Sequence, residues 1–391
     1  MENMERRMLL AGLGLVGAAA AASAASAGSL NPPPGPVAAT GTPTDKIEPR
    51  VAVESLPGDQ FNTYIISQPG SYYLTANLSG APLENGISIQ ADGVTLDLNG
   101  FALIGDVQTA AAGINVPNPQ KNLSIRNGTI RNWGEGVVAL NASSSILERL
   151  RASDNYLGNG ISVGNESAVR DCVMTGNGGA GLGAADRVLV SGCIADTNAR
   201  NGMFLGKNVI VIDCLVCRGF GTNDEAIFVS DHSTISRCTV SFNAGDGIRT
   251  LDGCTVADCT VGFNGKSGIL AGNGSTVRNC TVRANTRKGI DGLGAGQIVG
   301  NTCDSNGLPT SSYGINVTSS GNRVDSNTCT NNYGGFNIGP GNLIIRNCAR
   351  GQGVRDFTYS PIGSSGVAAI LNVVELGTTF DSTAPWANFI Y

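Results

Sequence analysis

Three stretches of the chain, CTVSFNAGDGI (Cys238–Ile248), CTVGFNGKSGI (Cys259–Ile269) and CTVRANTRKGI (Cys280–Ile290), repeat one pattern. In each, the cysteine is followed by valine two positions on, asparagine five positions on and a Gly-Ile pair nine positions on, and successive copies begin 21 residues apart. A fixed short period of this kind is the signature of a solenoid, in which each repeat packs on its neighbours.

The landmarks of this repeat extend along most of the chain. The Gly-apolar pair marks about 12 coils, at Gly86, Gly113, Gly136, Gly160, Gly181, Gly202, Ala226, Gly247, Gly268, Gly289, Gly314 and Gly335. We expect nine cysteines to occupy one position per coil, namely Cys172, Cys193, Cys214, Cys238, Cys259, Cys280, Cys303, Cys329 and Cys348. Asparagines follow the cysteines by five residues at Asn177, Asn198, Asn243, Asn264 and Asn285.

Apolar and polar residues alternate within each repeat, as in the run from Thr276 to Val282, which is the spacing of β-strands. β-Branched residues dominate these runs, and Gly and Asn separate them as turns require. Three short strands and three turns in about 21 residues form one coil of a parallel β-helix. The sequence therefore predicts an all-β, right-handed parallel β-helix with N- and C-terminal caps, stabilised by stacked asparagines.

Composition changes along the chain indicate its domain organisation. Arg6-Arg7 precede an uncharged stretch that ends in small residues, as in a twin-arginine-like export signal. The predicted segments are a signal peptide (1–27), a Pro-rich linker (28–47), an N-terminal cap (48–85), the β-helix (86–350) and a C-terminal cap (351–391). We expect a periplasmic or secreted protein with no transmembrane anchor after signal removal.

The overall composition excludes some partners and suggests a role for the cysteines. The net charge is −5, only 14% of residues are charged, and no basic tract occurs, so nucleic-acid binding is disfavoured. Cysteines stacked on parallel strands point the same way, which is a poor geometry for disulfides. We expect them to be buried thiols that act as small apolar residues.

Charged residues are scarce, and alignment of the coils on the Gly-Ile landmark brings many of them to one face. The position before the glycine holds Asn201, Glu225, Asp246, Ser267 and Lys288. The position before that holds Arg200, Asp224, Gly245, Lys266 and Arg287. The position after the isoleucine, which points away from the core, holds Phe204, Phe228, Arg249, Leu270 and Asp291. The chain has only five lysines, and two lie here.

Two chemistries suit this face. Asp224, Glu225 and Asp246 can bind a hard cation such as Ca²⁺, the one cofactor that the pattern suggests, and the cation would neutralise a uronate carboxylate. A neighbouring base would then take a proton in β-elimination, and the candidates are Arg249, Lys266 and Lys288. Alternatively, two of the carboxylates act as acid and base in glycoside hydrolysis.

Further residues of the face are predicted to contact a substrate, namely Arg287, Asp291 and Phe228. Trp133 and Phe204 are other candidates for stacking on sugar rings, although aromatic residues in register also stabilise a sheet without any ligand. A solvated patch of ion pairs with little energetic value is the alternative interpretation of the charges.

Several stretches resemble a known family. QPGSYYLTANLSG (Gln68–Gly80), the segment NGISIQADGVTLDLNGFALIG (Asn85–Gly105), the Cys/Asn coils and the closing PWANFIY (Pro385–Tyr391) are similar to exported bacterial right-handed parallel β-helix proteins of the pectate-lyase-like superfamily. The resemblance covers residues 60 to 391. It implies an extracytoplasmic protein and, often, one that binds or cuts polysaccharides.

Two functions remain open from the sequence. The first is an exported protein that binds an acidic polysaccharide or cell-envelope glycan, with or without cleavage as a lyase or hydrolase. The second is a non-catalytic structural or adhesive protein of the cell envelope. The 21-residue coils leave almost no loops to wall a groove and exclude water, which argues against catalysis.

Overall fold

A computed structural model describes five segments of the chain: residues 50–106, 110–308, 312–359, 373–375 and 388–390. All of them belong to one compact unit, Pro49–Tyr391. Besides the 3-10 turn Val53–Ser55, the regular elements of the described residues are β-strands. The predicted signal peptide, the linker and most of the predicted C-terminal cap lie outside the described residues, so these assignments stay predictions.

Fourteen parallel strands, one from each coil, form a sheet that we call the first ladder. Its strands are Asn62–Ile66, Asn85–Ile89, Ala112–Asn115, Glu135–Ala139, Ile161–Val163, Leu182–Ala184, Met203–Leu205, Ile227–Val229, Ile248–Thr250, Ile269–Ala271, Ile290–Gly292, Tyr313–Val317, Gly334–Ile338 and Arg355–Tyr359. The predicted count of about 12 coils is low by two, because the first and last of these strands do not follow a Gly-apolar landmark.

The other 27 strands form one sheet that comprises two further ladders. The second ladder contains Val51–Ala52, Gly70–Tyr73, Val94–Asp97, Ser124–Arg131, Ile146–Ser153, Ala168–Arg170, Leu189–Ser191, Ile210–Ile212, Thr234–Ser236, Thr255–Ala257, Thr276–Arg278, Gln297–Val299, Arg323–Asp325 and Leu343–Ile345. The third ladder contains Leu78–Ser79, Ala102–Ile104, Val173–Thr175, Ile194–Asp196, Leu215–Cys217, Thr239–Ser241, Thr260–Gly262, Thr281–Arg283, Thr302–Asp304, Thr328–Thr330, Cys348–Arg350, Val373–Glu375 and Asn388–Ile390. Ser124–Arg131 and Ile146–Ser153 are long enough to pair in both.

The core lies between the three ladders and is built from the alternation seen in the sequence. In the coil that ends at Ile290, the valines at the centres of its second- and third-ladder strands, Val277 and Val282, are fully buried. Their strand neighbours Thr276 and Thr281 point outward and are at least partly exposed. Because the side-chain period of a strand is two, parallel pairing in register keeps every coil's apolar residues on the inside. The predicted all-β parallel solenoid is confirmed.

Buried asparagines connect the coils. The amide nitrogen Nδ2 of Asn243 donates to Oδ1 of Asn264 at 3.0 Å, and Asn264 donates in the same way to Asn285 at 2.9 Å. The backbone N–H of Asn264 donates to the same Oδ1 of Asn285 at 3.1 Å. Each amide thus satisfies a turn of the neighbouring coil in a site closed to water, which is where an unpaired polar group is most costly. The predicted asparagine stack is present.

The cysteine prediction is partly wrong. Six thiols occupy one column of successive coils, and each donates to the carbonyl two residues earlier at 3.2–3.3 Å: Cys172, Cys193, Cys214, Cys238, Cys259 and Cys280. The next position of this column is taken by Asn301, whose Oδ1 accepts from the N–H of Cys280 at 2.9 Å. Cys303 instead pairs with Val282, and Cys348 pairs with Thr328. The longer spacing after Cys280 shifts these cysteines to other strand positions.

We expect the native thiols to be almost unreactive. All eleven cysteines are free, and only Cys217 and Cys348 are not buried. A hydrogen bond shared with the preceding thiol, together with burial, raises the pKa of Cys193 and that of Cys214 to about 12. Because the thiolate is the reactive form, titration with a thiol reagent should modify at most two cysteines in native protein and all eleven in denaturant. Modification of six or more in the native state would contradict the buried ladder.

Candidate functional site

The strand register confirms the outward column that the sequence predicts on the first ladder. Phe228 lies beside Phe204 on one side and beside Arg249 on the other. Arg249 is followed by Leu270, and Leu270 by Asp291. Side chains in such a column stand one strand spacing apart, about 4.8 Å, along the axis of the coils. The column therefore presents aromatic, cationic, apolar and anionic groups in a line.

The turn that enters the first ladder stacks the two other predicted columns. The N–H of Ala226 donates to the carbonyl of Asp246 at 2.8 Å, and the N–H of Gly268 donates to that of Lys288 at 2.9 Å. One position earlier, the N–H of Arg287 donates to the carbonyl of Lys266 at 3.1 Å. The charged residues of four successive coils thus lie on one face, as predicted, and we call this set of residues the charged face.

Glu225 is held by two partners. Its Oε1 atom forms an ion pair with Nη1 of Arg249 at 2.8 Å, and its Oε2 atom accepts from Nδ2 of Asn201 at 3.1 Å. The Glu225 side chain is 11% exposed, whereas that of Arg249 is 44% exposed. A carboxylate with both oxygens engaged is a poor proton acceptor, but it fixes the direction of its partner. Glu225 therefore orients Arg249, which is the part of the pair that solvent can reach.

A second pair lies two coils on. Nζ of Lys288 contacts Oδ2 of Asp291 at 2.8 Å, and Oδ1 of Asp291 accepts from Nδ2 of Asn316 at 2.7 Å. Asn337 donates in turn to Oδ1 of Asn316 at 2.7 Å. The outward column thus continues as a chain of hydrogen-bonding side chains for two further coils. The sequence prediction stopped at Asp291, although Asn316 and Asn337 hold the same position in the next two coils and could have been found.

The remaining predicted residues are less constrained. One oxygen of Asp246 accepts from the N–H of Ser267 at 2.7 Å, and Nζ of Lys266 lies 3.4 Å from Oδ1 of Asn223. Asp224 and Arg287 make no side-chain hydrogen bond or ion pair with the rest of the described chain. These four side chains are the ones that remain available to a ligand.

The three residues predicted to bind calcium do not form a ready site. Both oxygens of Glu225 are occupied by Arg249 and Asn201. Within the segments that the structure describes, no group of three or more His, Cys, Asp or Glu side chains is arranged to hold a metal ion. Calcium at Asp224 and Asp246 remains a prediction, and it would need ligands from the glycan itself because Ca²⁺ takes six to eight oxygens.

Two stacked phenylalanine pairs flank the charged face. The rings of Phe204 and Phe228 have centroids 4.9 Å apart, and Phe204 is 51% exposed. Phe242 and Phe263, whose centroids are 5.0 Å apart, lie in the turns that carry Asp246 and Lys266. The sequence analysis missed this second pair, although Phe-Asn recurs there 21 residues apart. It was wrong about Trp133, which is buried in the core with 1% exposure and is unavailable to a sugar.

Comparison with known proteins places this architecture. The pattern of the family described as right handed beta helix region matches residues 112–256 and 248–350, which is more than half of the chain. No protein with a curated description matches the sequence significantly. No helix in the described segments has the length and apolar character needed to cross a membrane.

Several solved structures share the fold at low identity. The A-module of the Azotobacter vinelandii mannuronan C-5 epimerase AlgE6 is 13% identical, with 83% of this chain and 90% of that chain covered and a TM-score of 0.47. The periplasmic alginate epimerase AlgG is 13% identical, with 88% and 82% covered and a TM-score of 0.47. Tailspike protein 3 of bacteriophage CBA120 is 10% identical, with 84% and 64% covered and a TM-score of 0.49. These likenesses concern the fold alone.

Proposed function

From a chain that belongs to the right-handed parallel β-helix family, of the pectate-lyase-like type, we infer an acidic-polysaccharide-binding protein whose charged face contacts the glycan. The glycan lies along the outward column of the first ladder, where Phe204, Arg249 and Asp291 follow one another in register. We further propose that the protein is exported through its twin-arginine-like N-terminal segment, which fractionation of cells producing the full chain would test.

One observation carries the preference for an acidic glycan. Lys266 and Arg287 lie on successive coils and have no carboxylate partner among the described residues, whereas Glu225 and Asp291 are each paired with a cation of the face. Two adjacent cations without counter-charges repel one another, and a ligand carboxylate or sulfate placed between them would relieve that repulsion. An exposed aromatic ring next to such charges is suited to the apolar face of a sugar.

Binding without cleavage is the better-supported form of this function. A general base needs an available lone pair, and Glu225 has both oxygens engaged. Asp224, Asp246, Lys266 and Lys288 stay candidates for catalysis. Release of reducing ends from polygalacturonate, alginate and dextran, with calcium and with chelator, separates the cases. Release that chelator abolishes would support calcium-assisted elimination, and chelator-resistant release would support hydrolysis. No release, with binding retained, supports the proposal.

We expect the substitution of Lys266→Ala together with Arg287→Ala to weaken binding of polygalacturonate or alginate at least tenfold and to steepen no interaction with dextran. The reason is that the two side chains supply the counter-charge of the sugar carboxylates. Affinity electrophoresis at low and moderate salt measures the change, because exposed charge interactions are screened by ions.

Lys121→Ala together with Arg170→Ala is the matched control. Both side chains are exposed, neither has an ion-pair partner among the described residues, and the pair removes the same charge from other turns and strands. Equal loss in both double variants would mean that net charge alone drives binding. If the wild-type protein binds none of the polysaccharides, the non-catalytic structural or adhesive protein becomes the better account.

A further inference from the structure

The turn between the third and first ladders contains two bulky residues that the fold does not need. Phe242 and Phe263 adopt φ values of 60° and 58°, in the left-handed region where a bulky side chain is disfavoured. Equivalent positions in other coils hold smaller or more flexible residues with the same backbone, namely Gly176, Thr197, Arg218, Ala284, Ser305, Asn331 and Gly351. The coil geometry is therefore kept without an aromatic ring.

These rings also leave apolar surface in solvent. Phe242 is 59% exposed and Phe263 is 50% exposed, although their rings are stacked at an interplanar angle of 8°. The ring of Phe242 covers one face of Phe263. The next coil has only the methyl group of Ala284 at this position, with its N–H bonded to the carbonyl of Asp304 at 2.9 Å. The other face of Phe263 is thus left open above a step in the column.

Polar groups border this step. Arg283 immediately precedes Ala284, and its Nε atom pairs with Oδ2 of Asp304 at 3.2 Å. The Arg283 side chain is 62% exposed, so its two Nη groups remain free to donate outward. An apolar ring face next to a fixed guanidinium can contact a sugar ring with its apolar face and bond its hydroxyl or carboxylate groups.

We propose that the step formed by Phe263 and Ala284, bordered by Arg283, is a separate sugar-binding subsite in which one pyranose ring stacks on the free face of Phe263. The inference rests on the proposed glycan binding, but it concerns a contact outside the first-ladder column. A sugar unit fits better than a protein partner, because two rings and a methyl group are far smaller than the roughly 1,200 Å² that a specific protein interface buries. The strained phenylalanines are then retained for binding.

Three variants test the subsite with polygalacturonate and alginate in affinity electrophoresis. Phe263→Ala removes the stacking face, and we expect about tenfold weaker binding. Ala284→Phe adds a third ring that fills the step and should weaken binding by a similar factor, although it adds aromatic surface. Thr197→Phe adds a ring to the same column on the far side of Arg218, and it should leave affinity unchanged.

The outcomes separate this inference from the proposed function. If Ala284→Phe binds as well as or better than the wild-type protein, the step is not a subsite. The same holds if Phe263→Ala retains full affinity while Lys266→Ala with Arg287→Ala loses it, in which case the proposed function stands alone. Absence of any binding by the wild-type protein would overturn both. Thermal midpoints control for folding, and we expect that of Phe263→Ala to stay near the wild-type value.

Discussion

Replacing Gly268 with alanine should destabilise the protein by about 3 kcal/mol, because a Cβ atom at this landmark has no room. It would lie 2.4 Å from Cγ1 of Val282, 2.7 Å from Nδ2 of Asn285 and 2.7 Å from the carbonyl oxygen of Gly289. Two of these neighbours cannot yield cheaply. One is backbone of the next coil, and the other is a member of the buried asparagine stack, whose displacement would leave amides unpaired. The midpoint of urea unfolding measures the loss.

Gly274→Ala in the following turn is the matched control. Gly274 has a φ of 64°, but a Cβ atom there would meet nothing within 4 Å. Its substitution should cost only about 1 kcal/mol, which is the penalty of the left-handed backbone for a residue with a side chain. Equal losses at Gly268 and Gly274 would show that backbone freedom, and not close approach of the coils, determines where the repeat requires glycine.

This packing requirement explains why the fold could be predicted from the sequence. Glycine at the landmark, alternating valines and the asparagine five residues after the cysteine are each imposed by contact with the next coil, so they recur at the period of the coil. Where a coil changes length the period fails. The prediction for Cys303 was wrong because 23 residues separate it from Cys280, and Asn301 takes the cysteine position instead.

The candidate site was predictable only in part, for a related reason. Register alone brings Phe228, Arg249 and Asp291 into one column, and register follows from the repeat. The choice of ion-pair partner depends on side-chain rotamers, so the link from Arg249 to Glu225 in the preceding coil and that from Lys288 to Asp291 within one coil could not be read from spacing. The occupied oxygens of Glu225 were invisible to a pattern that counts carboxylates.

Asp325 should make the stability of the protein sensitive to acid. Its side chain is 1% exposed and lies between two guanidinium groups, with Nη2 of Arg323 at 2.6 Å and Nε of Arg346 at 2.8 Å. Burial alone would raise the pKa of Asp325, but the hydrogen bonds from Arg346, Arg323 and Ser326 outweigh it and lower the pKa to about 2. A carboxylate whose pKa is lowered by folding stabilises the native state above its unfolded pKa of about 3.9.

We therefore expect Asp325 to contribute about 2.5 kcal/mol near neutral pH and to lose that contribution as the pH falls from about 4 to about 2. Asp325→Asn should remove most of it at pH 7 and flatten the acid limb of the stability curve, so that variant and wild-type proteins converge near pH 2. Asp258→Asn is the control. Its pair with Arg278 spans 3.8 Å, both side chains are nearly half exposed, and its loss should cost less than about 1 kcal/mol. Since asparagine keeps the shape of aspartate and tolerates the left-handed backbone at residue 258, a difference between the two variants isolates the charge that the coils bury. Urea unfolding at several pH values would contradict the assignment if both variants followed the wild-type curve in parallel.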